Sequence, residues 1–238
     1  MMSQRKKPKT TVRSKSSRNK QQRQQTGVKK KRKPSSKRWL IRQAKDVYVQ
    51  AAQREGYRSR AAYKLIELDD KFRIFKPGQS VIDLGAAPGG WTQVAVSRVH
   101  ADTPGGGQVL AVDVKSLDPI HGASISNRDI LEENTVGEIH DILKGDADVV
   151  LSDMAASSTG HRKTDALRVM TLCEAALDFA NTVLSPGGCF VVKVLKIGAE
   201  VELVKRLKQD FSSVRNAKPP ASRKESSESY IVAMGFRG

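Results

Sequence analysis

The chain has 238 residues, a length that suits one α/β domain with an appendage, and its 42 Lys and Arg against 25 acidic residues give a formal net charge of +17. No apolar run reaches the length of a membrane span, no signal peptide is evident, and the two cysteines, Cys173 and Cys189, form no CxxC pair of the zinc or redox type. We therefore expect a cytoplasmic chain with no membrane partner and no metal.

The first 45 residues are strongly basic. They contain 18 Lys and Arg and no acidic residue, so the rest of the chain holds the other 24 basic residues and all 25 acidic ones. Such a segment buries too little apolar surface to offset the entropy lost on ordering. The composition predicts a disordered tail over residues 1–36 and a folded domain over 37–238. The tail's charge suits a polyanion such as RNA, with a solubilising tail or a transit peptide as alternatives.

Apolar periodicity predicts an alternation of helices and strands after the tail. The predicted helices are 39–54, 60–72, 91–99, 131–143, 164–184 and 200–211. The predicted strands are 80–84, 108–112, 148–151, 189–194 and 230–235, with turns at Pro77-Gly78 and Pro186-Gly187-Gly188. This alternation predicts an α/β fold with a mostly parallel sheet and helices on both faces. The close spacing of the last strands permits an antiparallel strand near one edge.

A glycine-rich stretch directly follows the first predicted strand. It reads Gly85-Ala86-Ala87-Pro88-Gly89-Gly90 and leads into the helix that starts at Trp91. Glycines let the backbone approach a ligand closely, and α/β sheets bind ligands at the carboxyl ends of their parallel strands. The stretch lacks both the GK[ST] of a P-loop and the GxGxxG of a dinucleotide site. An adenosyl cofactor without phosphates fits it better.

Two acidic residues extend this candidate cofactor site. Asp113 directly follows the predicted strand 108–112, where a carboxylate can accept hydrogen bonds from ribose hydroxyls. Asp129 is expected after the next strand, toward an adenine. A cap is the alternative for both residues, and Asp129 is well placed to cap the helix 131–143.

Polar residues also interrupt the apolar pattern of the later strands. Asp153 lies at the end of the strand predicted over 148–151, and Lys193 lies inside an apolar run. A buried lysine must either give up its proton or have an anionic partner, unless its strand lies at the sheet edge and faces water. Lys64, on the helix predicted over 60–72, has by itself the pattern of a solvated charge.

Several segments in order along the chain resemble the RrmJ/FtsJ family of RNA ribose 2′-O-methyltransferases. They are residues 57–65, 83–91, 151–155, 191–194, 222–223 and 228–233, so the resemblance extends over about 38–238. It implies the Rossmann-like class I fold of S-adenosylmethionine-dependent methyltransferases. The chain departs from the usual pattern after Ala155, where Ala156-Ser157 replaces Pro-Asn, and this puts that loop's contact with substrate in doubt.

The resemblance also implies which residues form the site. The implied catalytic tetrad is Lys64, Asp153, Lys193 and Glu228, with Glu225 as a rival for the fourth place. The cofactor residues assigned to S-adenosylmethionine are Gly85, Gly89, Trp91, Asp113, Asp129 and Asp153. In this interpretation Lys193 acts as the base, Asp153 orients it, Lys64 positions the ribose and Glu228 fixes a lysine.

The expected reaction is methylation of a ribose 2′-hydroxyl of RNA, at a uridine of 23S rRNA in the large ribosomal subunit. The expected partner is that RNA or the assembled subunit. The protein is expected to act as a monomer and not to bind DNA. Two alternatives stay open: a tRNA ribose methyltransferase, and a non-catalytic RNA-binding factor of ribosome assembly.

Overall fold

A computed structural model of the chain describes residues 43–132, 135–196, 198 and 200–238. The tail predicted over 1–36 and the start of the first predicted helix lie outside the described residues. The helices are α1 (Val47–Glu55), α2 (Ala62–Phe72), α3 (Gly90–Val99), α4 (Thr135–Leu143), α5 (Arg162–Val183) and α6 (Val201–Asp210). The strands are β1 (Ser80–Leu84), β2 (Gln108–Val112), β3 (Ala123–Ser126), β4 (Ala147–Ser152), β5 (Leu184–Leu195), β6 (Phe211–Ala217) and β7 (Glu228–Phe236).

The seven strands form one sheet in the order β3-β2-β1-β4-β5-β7-β6. The five strands from β3 to β5 are parallel to one another, whereas β7 runs antiparallel to both β5 and β6. The structure therefore confirms a mostly parallel sheet with an antiparallel strand near one edge.

Helices cover both faces of this sheet. Leu65 of α2 and Val94 of α3 belong to one core with Val81 of β1, whereas Leu177 of α5 belongs to a second core with Ile82 of the same strand. Because neighbouring strand residues point to opposite faces, a strand covered on both sides has a continuous apolar sequence. The predicted layers are confirmed. Among the described residues, no helix is long and apolar enough to cross a membrane.

The predicted helix over 39–54 is wrong as a single element. Asp46 interrupts it in extended conformation, and its carboxylate accepts a hydrogen bond of 3.1 Å from the Tyr48 amide. Aspartate favours this N-cap position because its side chain satisfies an amide that the first helical turn leaves free. Asp46 thus begins α1, and Gly56, with φ 77°, ends it.

The turn predicted at Pro186-Gly187-Gly188 lies within β5. Leu184 pairs with Ala147 and Cys189 pairs with Val149, so the register between β4 and β5 shifts across these residues. The proline and glycines therefore make an irregularity in the strand, after which β5 continues straight to Leu195.

Candidate active site

The register of the parallel strands brings three loops together at one edge of the sheet. Leu84 at the end of β1 lies beside Val112 of β2 and Ser152 of β4. The next residue of each strand is therefore at the same edge: Gly85, Asp113 and Asp153. These three line a cavity of about 310 Å³, whose further walls include Asp129, Val114, Ile130, Leu131 and Met154.

The backbone at Gly85 can be formed only by glycine. Its φ is 74°, and a Cβ added there would lie 2.7 Å from Met154 Cγ. The Gly85 amide donates to the Val112 carbonyl at 2.9 Å, which fixes the loop on β2. The Ala87-Pro88 peptide bond is cis, and Gly89, with φ 108°, is the N-cap of α3. The predicted glycine loop thus leads from β1 to α3 beside the cavity.

The two acidic residues of the candidate cofactor site both accept hydrogen bonds from backbone amides in loops. The Asp113 carboxylate accepts hydrogen bonds of 2.9 Å from the Ala87 amide and 2.8 Å from the Lys115 amide, so it connects the glycine loop to the end of β2. Asp129 accepts 3.0 Å from the Leu131 amide, in a turn that precedes α4. Both carboxyl groups remain part of the cavity wall.

Lys193 is buried at 8% exposure and has an anionic partner. Its Nζ lies 3.0 Å from Asp153 Oδ1 and also donates to the Asp153 backbone carbonyl. The strand of Lys193, β5, lies between β4 and β7, so the edge-strand alternative is wrong. A cation at this depth is stabilised by the carboxylate, because burial without a partner would cost free energy.

A second ion pair joins α2 to the start of β7. Lys64 Nζ lies 2.7 Å from Glu228 Oε1, and both side chains are largely buried, so Lys64 is not a solvated charge. Burial by itself would raise the pKa of the Glu228 carboxyl, but the Lys64 cation and the Ser222 hydroxyl, which donates at 3.0 Å, lower it overall. Glu225, the rival for this position, is exposed.

Tyr230 connects the two ion pairs, and the sequence alone did not indicate it. It pairs with Lys193 in the β5–β7 register, and its hydroxyl donates 3.1 Å to Asp153 Oδ1. Lys64 Nζ lies 5.7 Å from the centre of its ring. Burial raises the pKa of the Tyr230 hydroxyl well above its usual value, as do the charges of Asp153 and Glu228, so the hydroxyl keeps its proton.

Trp91 lies behind this cluster. Trp91 is 3% exposed, and its indole Nε1 donates a hydrogen bond of 2.8 Å to the Ala61 carbonyl. The centres of the Trp91 and Tyr230 rings are 5.6 Å apart. The structure therefore places Trp91 between α2 and the polar cluster, where it supports Tyr230. A direct contact of Trp91 or Gly89 with a cofactor stays a prediction.

The loop that departs from the family pattern is attached to α5. Arg168 donates 3.0 Å to the Ser157 carbonyl, and Asp165 accepts 2.7 Å from both the Ser158 hydroxyl and the Thr159 amide. These contacts give Ser157 and its neighbours a defined path without the usual Pro-Asn. Within the described residues, no group of three or more His, Cys, Asp or Glu is arranged to hold a metal ion.

A seven-stranded sheet with β7 inserted antiparallel between β5 and β6, and with a glycine-loop cavity at the ends of β1 and β2, has the architecture of the class I methyltransferases. A family model described as FtsJ-like methyltransferase matches residues 57–236. The chain belongs to the FtsJ-like methyltransferase family.

Named relatives agree with this assignment. The chain is 54% identical to the Ribosomal RNA large subunit methyltransferase E of Parvibaculum lavamentivorans (strain DS-1), over 88% of this chain and 85% of that protein. It is 56% identical to the protein of the same name from Paramagnetospirillum magneticum (strain AMB-1), over 88% and 86% of the two chains. A crystal structure from Plasmodium falciparum, assigned as a ribosomal RNA methyltransferase, matches with a TM-score of 0.67 and 31% identity, over 76% of this chain and 100% of that one.

Proposed function

We propose that this protein transfers a methyl group from S-adenosylmethionine to a ribose 2′-hydroxyl of large-subunit ribosomal RNA, at a uridine. The observation that carries the proposal is the position of Asp153, which lines the cavity and pairs with Lys193 at 3.0 Å. The carboxylate of Asp153 therefore pairs with the buried lysine and belongs to a residue that a group bound in the cavity would meet. The names of the relatives support ribosomal RNA of the large subunit as the substrate.

The residues that line the cavity fit S-adenosylmethionine in their chemistry. Its walls combine apolar side chains, Val114, Ile130 and Leu131, with the carboxylates of Asp113 and Asp129. Apolar walls suit an adenine ring, whereas a carboxylate after β2 can accept hydrogen bonds from ribose hydroxyls. When bound, S-adenosylmethionine supplies an electrophilic methyl group on its sulfonium sulfur.

Lys193 is the group that we assign as the base. A ribose hydroxyl is a weak nucleophile at neutral pH, and transfer of its proton to a positioned amine helps its oxygen to attack the methyl carbon. In the proposed step, Lys193 Nζ takes this proton from the hydroxyl. Asp153 holds the amine through its carboxylate at 3.0 Å, and the hydroxyl of Tyr230, the residue opposite Lys193, in turn holds that carboxylate.

Lys64 is the second cation of the cluster, and it places positive charge near the reacting hydroxyl. Glu228 holds Lys64 at 2.7 Å, and the Tyr230 ring lies beneath the same ammonium group. A fixed cation eases loss of the hydroxyl proton, and fixed neighbours align the ribose, so part of the rate enhancement comes from proximity. All these residues come from one chain, which supports a monomer as the active unit. Ribosomal RNA as substrate supports the cytoplasm, where ribosomes assemble.

A pair of variants separates binding from chemistry. Lys193→Ala should lose most methyl transfer to large-subunit rRNA, while calorimetry shows nearly unchanged S-adenosylmethionine binding, because a base acts in the chemical step. Asp113→Ala should weaken that binding strongly.

Two results would count against these assignments. If Lys193→Ala kept activity within about tenfold of the wild type, a loss of about 1.4 kcal/mol, the base would be another group. Equal cofactor binding by Asp113→Ala would remove Asp113 from the site. A wild-type protein that binds rRNA but transfers no methyl group would favour the assembly factor, and transfer to tRNA alone would favour the tRNA enzyme.

A further inference from the structure

Arg60 and Glu67 together hold both polar backbone groups of Ala221, a buried residue of the loop between β6 and β7. Arg60, just before α2, donates 2.6 Å to the Ala221 carbonyl, and the Ala221 amide donates 2.7 Å to Glu67 Oε2 on α2. One side chain therefore binds the carbonyl of Ala221 and the other binds its amide. We refer to Arg60 and Glu67 together as the Ala221 clamp.

The clamp side chains are themselves held in place. Arg60 lies 3.3 Å from the Asp46 carboxylate, with its side chain only 17% exposed. The Tyr48 hydroxyl donates 2.9 Å to Glu67 Oε1, the oxygen that Ala221 does not use. Because α1 contributes Asp46 and Tyr48, the clamp forms only when α1 and α2 are both in place.

The residue after Ala221 reaches the candidate active site. The Ser222 hydroxyl donates 3.0 Å to Glu228 Oε1, which is also the oxygen 2.7 Å from Lys64 Nζ. A chain of contacts therefore runs from Arg60 and Glu67 through Ala221 and Ser222 to the Lys64–Glu228 pair. Peptide geometry is stiff, so fixing Ala221 restricts where the Ser222 hydroxyl can lie.

We propose that Arg60 and Glu67 are positioning residues for the Lys64–Glu228 pair and act on it through Ala221 and Ser222. The catalytic consequence rests on the proposed function. Neither clamp residue touches substrate in this scheme. Without the clamp, Ser222 no longer holds Glu228 and Lys64 loses a fixed partner, which slows the chemical step and leaves cofactor binding unchanged.

The test compares Arg60→Ala, Ser222→Ala and the double variant in single-turnover methyl transfer. Arg60→Ala should slow the reaction by about tenfold or more, the loss expected when a charged hydrogen bond is removed. The double variant should be no slower than the slower single variant, because both changes break the same link. Arg98→Ala is the matched control, since Arg98 pairs with Asp69 and Asp70 on the same helix without touching Ala221.

A second measurement needs no activity. The ¹³C shift of the Glu228 carboxyl, followed against pH, should show a higher pKa in Arg60→Ala and Ser222→Ala than in the wild type and in Arg98→Ala, because the Ser222 donor lowers it. Additive losses in the double variant, or an unmoved Glu228 titration in Arg60→Ala, would overturn the clamp. If the wild type itself transfers no methyl group, the proposed function fails, and the titration still decides the clamp.

Discussion

Asp83 is a carboxyl group enclosed in the centre of the sheet. Its Oδ2 accepts a hydrogen bond of 2.7 Å from the Thr92 hydroxyl, whereas its buried Oδ1 has no hydrogen-bond partner among the described residues. Burial, together with the nearby carboxylates of Asp153 and Asp113, raises the pKa of Asp83 to about 7 against the lowering effect of Thr92. Asp83 therefore binds a proton more readily in the folded protein than in the unfolded chain.

This difference predicts a pH dependence of stability. A group whose pKa is higher in the folded state contributes its full stability at pH values below the pKa that it has in the unfolded chain. That contribution is lost as the pH rises toward the folded pKa of about 7. Between about pH 4 and pH 7 the wild type should lose thermal stability relative to Asp83→Asn, whose amide carries no charge. Melting curves of both proteins across this interval measure the difference. Parallel pH profiles would show that Asp83 does not titrate in this way.

Doubly buried strands were the elements that the sequence predicted best. The bounds of β1 and β2 agree with the prediction, because a strand covered on both faces is a short continuous apolar run. The edge strands β3 and β6 lacked this signal, since serines and other polar residues occupy much of both. In the segment predicted as a helix from residue 131, Leu131 and Glu132 lie in the turn that follows Asp129, and the described helix covers Thr135–Leu143.

The residues of the candidate site were likewise predicted from the sequence only in part. Lys193 and Asp153 were visible as polar residues among apolar ones, and the family motifs pointed to Lys64 and Glu228. Tyr230 was not visible, because its place opposite Lys193 depends on the antiparallel register of β5 and β7. The Ala221 clamp was equally hidden, since it joins residues 161 and 154 positions apart in sequence.

The loop after β4 offers a local test of how its path is fixed. Asp165 accepts hydrogen bonds from the Thr159 amide and hydroxyl and from the Ser158 hydroxyl, and these donors lower the pKa of Asp165 to about 2. Asp165→Ala should speed hydrogen exchange of the Thr159 amide by about tenfold, since that amide loses its acceptor. Asp178→Ala, which removes a partner of Arg206 from the same helix, is the control. Unchanged exchange at Thr159 would mean that Asp165 does not fix the loop.

The whole chain divides its charge unevenly. Residues 1–45 carry 18 basic and no acidic residues, whereas the remainder has 24 basic and 25 acidic ones. The net charge of +17 thus belongs almost entirely to residues 1–45, and 14 of their 18 basic residues lie in the tail, residues 1–36. We propose that the tail adds affinity for RNA without specificity and leaves the chemistry to the folded domain.

A protein without residues 1–36 tests this division. It should bind RNA more weakly, with a shallower dependence of affinity on salt, because fewer phosphate contacts release fewer counterions. At saturating RNA its turnover should be nearly unchanged, since all four members of the proposed tetrad lie beyond the deletion. An unchanged salt slope would mean that the tail does not contact RNA, and a collapse of turnover would mean that it helps to build the site.

If the methyl group goes to a ribose oxygen, the position of that group on the product shows it most directly. Unmethylated large-subunit rRNA, both free and in assembled subunits, would be incubated with the protein and isotopically labelled S-adenosylmethionine, digested to nucleosides and analysed by mass spectrometry. The label should appear in 2′-O-methyluridine, and Lys193→Ala should not produce it. A label found on a base, or no label in any nucleoside, would contradict the account.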